Sequence, residues 1–265
     1  MEKTVRSCAK EISLIHEEKA KHAVLCFHGY TGYPGELALP ASLLYESGFD
    51  VFVPRYPGHG TSGDDFITTD RAMWVDKALS SYKEIDGKYE TISLIGHSMG
   101  GLIALKVALT MKSVSKIVLY APALLLCRPI PTLLLSFLSL FKDKRKVEWK
   151  KDPAFPFFDN RDKGDDEYLG KEYWSYIFYK QTIELEKLRK EVLSEIGEVD
   201  NHILIFTGGL DTTVDKRVGE LIEKATKRKD NHYVDLPNAT HLIPYDKDDA
   251  SRNFAMQETL VFLTP

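Results

Sequence analysis

Residues 92–101 read Ile-Ser-Leu-Ile-Gly-His-Ser-Met-Gly-Gly, and this stretch decides the fold. Its first four residues form an apolar run typical of a buried β-strand, and an apolar helical pattern follows over residues 102–111. A G-x-S-x-G pattern between a strand and a helix indicates a tight turn that exposes a nucleophilic serine, here Ser98. We expect positions 96 and 100 to require glycine, because a side chain at Gly96 or Gly100 would collide with the neighbouring strand and helix. Without the strand and helix, the pattern would indicate only a glycine-rich turn with an incidental serine.

Further apolar runs of strand length lie on both sides of this turn. Near-continuous apolar runs indicate strands that are buried on both faces, as in a mostly parallel sheet. Helical patterns alternate with these runs, which predicts right-handed crossovers in a doubly wound α/β domain. The runs occupy residues 23–27, 51–54, 117–120, 203–206 and 233–236, and the helical patterns occupy residues 37–46, 71–85, 216–226 and 249–262. Ligands in such sheets bind beyond the carboxyl ends of the strands, where most unusual residues of this chain lie.

The alternation breaks over residues 122–199. This segment contains several prolines, an apolar helical pattern, an aromatic-rich stretch over residues 168–179 and an amphipathic pattern over residues 184–196. We interpret it as a helical cap inserted between two halves of one core, residues 1–121 and 200–265, rather than as a second domain.

A nucleophilic serine needs a histidine that takes its proton and a carboxylate that orients the histidine. In a fold with this serine turn the chain order is serine, acid, histidine. Of the eight histidines, His241 follows the last predicted strand, on the loop that would carry the base. Asp211 follows the penultimate strand and is the candidate acid. Asp215 is its rival but resembles the N-cap of the next helix, and Asp200 precedes the strand and would lie at the wrong end of the sheet.

Acyl transfer also needs two preorganised donors for the tetrahedral oxyanion. The N–H of Met99, the residue after the nucleophile, is one candidate. The second candidate is the N–H of Tyr30, because Gly29 lets the loop after the first parallel strand turn sharply. A glycine turn without a catalytic role remains the alternative for this loop.

Together these segments resemble the α/β-hydrolase superfamily, in particular bacterial monoacylglycerol lipases and small carboxylesterases. The resemblance rests on residues 27–32, 54–62, 96–101, 208–214 and 238–241. It implies an eight-stranded, mostly parallel sheet flanked by helices, a lid over the site and a serine esterase that uses no metal or organic cofactor. On that likeness Ser98, Asp211 and His241 match the triad, and Tyr30 and Met99 match the oxyanion donors. The cap does not match the family in any part that we can place.

An apolar helix is predicted over residues 132–141 of the cap, with more apolar surface than a simple surface helix needs. We expect part of it, namely Leu134, Phe137, Leu138 and Phe141, to line an acyl-chain tunnel or to contact a lipid interface transiently. Packing of this helix into the core is the alternative. The substrate expected from this reading is a small ester with a short to medium apolar acyl chain, or a monoglyceride.

Bulk composition argues against several other classes of protein. The formal net charge is −4, whereas a nucleic-acid surface usually needs a clear basic excess. The three cysteines are too few and too scattered for a disulfide framework or a zinc cluster. Residues 1–10 contain no apolar segment, so we expect a cytoplasmic protein without a secretory signal. Nothing in the sequence indicates an oligomeric state.

Two other functions stay open. A peptidase of the same fold that removes N-terminal residues would use the same triad, with cap carboxylates for the substrate amine from residues 159–167 or Glu172. A non-catalytic receptor or carrier would use the pocket only to hold a hydrophobic ligand. The complete set of Ser98, Asp211 and His241 argues against the second of these functions.

Overall fold

A central sheet of seven strands organises the described part of this computed structural model, which comprises residues 4–18, 20–152, 154–155 and 164–264. The strands of this sheet and of a separate two-stranded pair, numbered together along the chain, are β1 (Ile12–Leu14), β2 (His22–Phe27), β3 (Asp50–Val53), β4 (Thr91–His97), β5 (Val114–Tyr120), β6 (Lys144–Lys146), β7 (Tyr176–Phe178), β8 (His202–Gly208) and β9 (His232–Leu236). The sheet order is β1-β3-β2-β4-β5-β8-β9, and β6 pairs with β7 separately. Within the seven-stranded sheet of the described residues, only β1 runs antiparallel to its neighbour, so the predicted mostly parallel sheet is confirmed.

Helices cover both faces of this sheet. They are α1 (Ala38–Glu46), α2 (Gly63–Phe66), α3 (Arg71–Ile85), α4 (Met99–Thr110), α5 (Thr132–Leu138), α6 (Asp165–Leu169), α7 (Tyr179–Glu195), α8 (Val218–Ala225) and α9 (Asp249–Leu263). No helix among the described residues has both the length and the apolar character that a bilayer crossing requires.

The core consists of two apolar layers, one on each face of the sheet. Alternate residues of β2 point to opposite layers: Leu25 joins the layer that contains α3, α4, α7 and α8, and Val24 joins the layer that contains α1 and α9. β2, β4 and β8 are buried along nearly their whole length, which explains why their sequences are continuous apolar runs.

The strand count implied by the family resemblance is wrong for the described residues, which form a seven-stranded main sheet rather than an eight-stranded one. The short turn Ser7–Ala9 precedes β1, and Arg6 donates from its backbone N–H to the carbonyl of Gly60, so this segment packs on a loop instead of adding a strand. β1 itself was not predicted because three partly exposed edge residues do not form a recognisable apolar run.

The segment between β5 and β8 contains α5, the β6–β7 pair, α6, a π-helical turn at Gly170–Trp174, and α7. α5 ends at Leu138, three residues before the end of the predicted apolar helix, and α7 begins at Tyr179, within the aromatic-rich stretch. Leu188 and Val192 of α7 belong to the same apolar layer as α3 and α4, so this helix packs on the core. The division into a core and an inserted cap stays a prediction.

Candidate active site

Ser98 occupies a strained turn between β4 and α4. Its backbone angles are φ 54° and ψ −115°, a left-handed region that residues with a side chain seldom adopt. A Cβ atom at Gly100 would collide with the carbonyl oxygen of Phe27 in β2, and one at Gly96 would collide with the backbone of Gly100. The strand, the turn and the helix therefore approach one another so closely that both glycines are needed, as the sequence predicted.

The structure brings together the three residues predicted to form the triad. Nε2 of His241 lies 3.0 Å from Oγ of Ser98, and Nδ1 of His241 lies 2.7 Å from Oδ2 of Asp211. The second oxygen of Asp211 accepts hydrogen bonds from the backbone N–H groups of Thr213 at 2.7 Å and Val214 at 2.9 Å. The carboxylate is 1% exposed and the imidazole is 20% exposed. Burial alone would raise the pKa of Asp211, but its hydrogen bond and charge interaction with His241 and the two backbone N–H groups lower the pKa below its ordinary value.

The rival acids are engaged or placed elsewhere. Asp215 accepts hydrogen bonds from Nε of Arg217 at 3.0 Å and from the backbone N–H of Arg217 at 2.9 Å. It does not cap α8 as expected, because that helix begins at Val218 and Asp215 instead closes the turn before it. Asp200 precedes β8 and lies at the opposite end of that strand from Asp211.

The loop after β2 places Tyr30 next to the nucleophile. A Cβ atom built on Gly29 would lie 3.5 Å from Cβ of Ser98, so the loop backbone runs beside the serine. The backbone N–H of Tyr30 makes no hydrogen bond to any described residue. Met99 is the first residue of α4, and the first N–H groups of a helix have no partner within it. Met99 adjoins Ser98 in the chain, and Tyr30 lines the same cavity as Ser98, but the role of their N–H groups as oxyanion donors stays a prediction.

A cavity of about 420 Å³ opens at Ser98 and His241. Its walls are mainly apolar. Loops that follow strands of the central sheet form one part of them, and the segment between β5 and β8 forms the other. Apart from Tyr30, the aromatic walls are Trp149, Phe155 and Trp174, and the aliphatic walls are Ala123, Leu126, Leu185 and Leu242. The sequence analysis did not identify these residues. The concentration of tryptophan and phenylalanine over residues 149–174 could have indicated an aromatic wall in this segment.

None of the four residues predicted to bind substrate lines this cavity. Leu134 and Leu138 line a separate groove of about 370 Å³ beneath α5, and Tyr30 lines both the groove and the cavity. Phe137 and Phe141 lie outside both spaces; their rings contact each other at 5.3 Å, and they are 59% and 70% exposed. The sequence indicated an apolar helix but could not indicate which of its faces meets the protein.

This structure combines a mostly parallel, doubly wound sheet with a serine in a strained turn between a strand and a helix. The serine is hydrogen-bonded to a histidine, and the histidine to an aspartate, an arrangement that defines an α/β-hydrolase. Comparison with known proteins agrees. Residues 18–248 match the family described as serine aminopeptidase, S33, and the chain belongs to that family.

Individual relatives lie among ester-cleaving enzymes. The chain is 32% identical over 89 residues to a carboxylesterase of Bacillus subtilis, and 33% identical over 93 residues to a thermostable monoacylglycerol lipase of Bacillus sp. strain H-257. These matches cover 33% and 35% of this chain, and only 36% and 37% of the two relatives. The resemblance to bacterial monoacylglycerol lipases and small carboxylesterases is thereby confirmed.

The fold is shared over the full length with solved structures. One structure, from work on two metagenome-derived lipolytic enzymes, superposes with a TM-score of 0.83 and covers 98% of both chains at 18% identity. At that identity the likeness concerns the fold, which confirms the α/β-hydrolase architecture.

Proposed function

We propose that the protein hydrolyses carboxylic esters through an acyl-enzyme on Ser98. The observation that carries this proposal is the continuous hydrogen-bond chain from Asp211 through His241 to Ser98 at the mouth of an apolar cavity. The names of the carboxylesterase and monoacylglycerol lipase relatives support the same reaction class.

In this mechanism the N–H at Nδ1 of His241 donates a hydrogen bond to Asp211 and keeps its proton, so Nε2 carries no proton and can accept the one from Ser98. The serine oxygen attacks the ester carbonyl, and the backbone N–H groups of Tyr30 and Met99 stabilise the oxyanion that forms. His241 then protonates the leaving alcohol. Water, activated by the same imidazole, releases the acid and restores the serine. Asp211 stays ionised throughout and stabilises the imidazolium.

We propose an ester with an apolar acyl chain, such as a monoglyceride, as the substrate class. The cavity at Ser98 has room for a small alcohol and the start of an acyl chain, and its aromatic walls favour apolar groups. The groove beneath α5, lined by Leu134, Leu138 and Tyr30, extends the apolar surface away from the serine. In this proposal Leu134 and Leu138 contact the distal part of the acyl chain.

We further propose that the exposed face of α5 and the turn after it contacts lipid transiently. Leu133 is 89% exposed and Leu140 is 77% exposed, and Phe137 and Phe141 lie beside them. Exposed apolar side chains in one continuous patch are typical of interaction surfaces.

Removal of N-terminal residues from peptides is the second candidate, because the family takes its name from an aminopeptidase. Such a substrate needs a carboxylate for its amine. Glu172 accepts a hydrogen bond from the N–H of Gly63 at 2.8 Å, and Asp165 accepts one from the N–H of Ser7 at 2.7 Å. Glu167 of the same acidic run pairs with Lys171, whereas residues 159–163 and the side chain of Asp166 lie outside what the structure describes. Glu36 and Asp152 line the cavity, and each already has a hydrogen-bond donor.

One experiment separates these functions: rates on p-nitrophenyl esters of increasing chain length and on aminoacyl-naphthylamides, with Ser98→Ala as control. We expect ester hydrolysis that Ser98→Ala abolishes, and fluorophosphonate labelling of Ser98. Faster turnover of the amides than of the esters would favour the peptidase. Absence of both labelling and turnover would favour a non-catalytic binder, and a strict preference for acetate would exclude the lipid substrate.

A further inference from the structure

Glu36 is a buried carboxylate next to the site that takes no part in the proposed proton transfers. It lies in the 3₁₀ turn Pro34–Leu37, which leads into α1, and it is 4% exposed. Burial of a carboxylate is costly unless hydrogen bonds and opposite charge compensate it. The groups that compensate Glu36 therefore indicate what the residue does.

The first of these groups belongs to the loop after β2, residues 29–32, which we call the oxyanion loop because it carries Tyr30. Oε2 of Glu36 accepts a hydrogen bond from the backbone N–H of Gly29 at 3.0 Å. Gly29 immediately precedes Tyr30, whose N–H is a proposed oxyanion donor. The carboxylate therefore fixes the peptide unit next to that donor.

The second group is the imidazole of His97, which is 2% exposed. Nδ1 of His97 lies 3.3 Å from Oε2 of Glu36, and Nε2 of His97 lies 3.0 Å from the backbone carbonyl oxygen of His241. The two ring nitrogens of His97 therefore face two acceptors, a carboxylate on one side of the ring and a carbonyl on the other. Through one side chain, Glu36 is thus connected to the backbone of the proposed base.

Gly32 provides the space that the carboxylate occupies. A Cβ atom at this position would collide with Oε1 and Cδ of Glu36. The loop from Gly29 to Gly32 therefore wraps around the carboxylate.

We propose that Glu36 is a positioning residue that holds the oxyanion loop directly and the His241 loop through His97. The proposed oxyanion donor at Tyr30 and the proposed base His241 lie on loops that follow different strands. Misplacement of a reacting group by about 1 Å lowers the rate on the order of a hundredfold, so the two loops must be held in register. Glu36 is the side chain that connects the two loops behind Ser98. This inference rests on the proposed ester hydrolysis.

The test compares Glu36→Ala with Glu36→Gln, with rates expressed per active site titrated by a fluorophosphonate. Alanine leaves the N–H of Gly29 and His97 without their acceptor, so kcat per titrated site should fall on the order of tenfold to a hundredfold, with KM changed by less than about threefold. Glutamine with its carbonyl oxygen at the Oε2 position can still accept from the N–H of Gly29 and from Nδ1 of His97, so kcat should stay within about fivefold of wild type. A residue that served stability alone would change the titrated fraction and leave kcat per site unaltered.

Gly32→Ala provides an independent variant, because it displaces the carboxylate while Glu36 itself remains. It should lower kcat as Glu36→Ala does, whereas Gly164→Ala, where an added methyl group meets open space, should not. This pair keeps the test decisive if Glu36→Ala fails to fold.

Wild-type kcat per titrated site in Glu36→Ala or in Gly32→Ala would overturn the inference. An equal loss in Glu36→Gln and Glu36→Ala would overturn it too, because the negative charge rather than the hydrogen bonds would then be responsible. A wild-type protein that neither hydrolyses esters nor reacts at Ser98 would instead remove the proposed function itself.

Discussion

Asp211 and His241 are joined by a 2.7 Å hydrogen bond between Oδ2 and Nδ1, and the rest of the carboxylate is fixed by the backbone. Its Oδ1 accepts hydrogen bonds from the N–H groups of Thr213 and Val214. The acceptor that orients the imidazole is therefore held by the loop after β8 and not by side-chain packing alone.

Asp211→Asn should lower kcat about 10³- to 10⁴-fold and leave KM nearly unchanged. The asparagine amide donates a hydrogen bond to Nδ1 of His241, so the imidazole carries its proton on Nε2. In that tautomer Nε2 cannot accept the proton of Ser98. Steady-state kinetics on p-nitrophenyl butyrate measures the effect. Asp215→Asn is the matched control, because Asp215 pairs with Arg217 and should keep wild-type rates. Equal losses in the two variants would contradict the assignment of Asp211.

The lowered pKa of Asp211 also predicts how acid affects stability. The carboxylate favours the folded state at pH values above its ordinary pKa of 3.8, and this contribution is lost as the pH falls through the lower folded pKa. The difference in free energy of unfolding between wild type and Asp211→Asn should therefore be constant above about pH 5 and change only below about pH 4. Urea unfolding across this range measures it. A difference that changes between neutral pH and pH 5 would show that another group is responsible.

Much of the fold and the proposed triad could be predicted because the signals are local. β2, β4 and β8 are buried on both faces, which requires continuous apolar runs. Ser98, Asp211 and His241 each follow a strand of that sheet, so the topology alone brings them to one edge. The edge strand β1 carries no such run, and the strand count implied by the family resemblance was too high for the described residues.

Contacts across the fold could not be predicted in this way. Glu36 and His97 are 61 residues apart, and no spacing rule relates them. Leu134 and Leu135 are neighbours on the same apolar helix, yet Leu134 is 54% exposed and Leu135 is 7% exposed. Which side of α5 meets the protein depends on how the segment between β5 and β8 packs, which the helical period does not determine.

Gly100→Ala should destabilise the protein by about 1–3 kcal/mol or prevent folding. The added methyl group would meet the carbonyl oxygen of Phe27, a backbone atom of β2 that cannot rotate away. Thermal unfolding measures the change, with Gly164→Ala as the matched control because its methyl group meets open space. Equal stability of the two variants would show that α4 does not press against β2.

Leu133→Ser combined with Leu140→Ser should weaken binding to vesicles of phosphatidylcholine mixed with phosphatidylglycerol. Both side chains are largely exposed, so their loss removes apolar surface from the proposed lipid contact without opening the core. Co-sedimentation with the vesicles measures binding. Val261→Ser, an exposed apolar residue on α9, is the control. If the double variant and the control bind vesicles equally well, α5 is not the lipid-contacting surface.

Tyr30→Ala should shift the acyl-chain preference towards longer esters. The phenol ring lines both the cavity at Ser98 and the groove beneath α5, and its hydroxyl lies 3.2 Å from Oγ1 of Thr182 in α7. Its edge-on contacts with Phe66 and Trp74 hold the ring between the two spaces. Removal of the ring should let a long chain enter the groove, where each buried methylene contributes about 0.8 kcal/mol.

The measurement is the ratio of kcat/KM for p-nitrophenyl dodecanoate to that for the butyrate, which should rise on the order of tenfold in Tyr30→Ala. A ratio cancels any loss of rate that the variant causes through the neighbouring oxyanion donor, since both esters need that donor equally. Tyr30→Phe keeps the ring and loses only the hydrogen bond to Thr182, so its ratio should equal that of wild type. A raised ratio in Tyr30→Phe would assign chain selection to the hydrogen bond with α7, and an unchanged ratio in Tyr30→Ala would separate the groove from the acyl site.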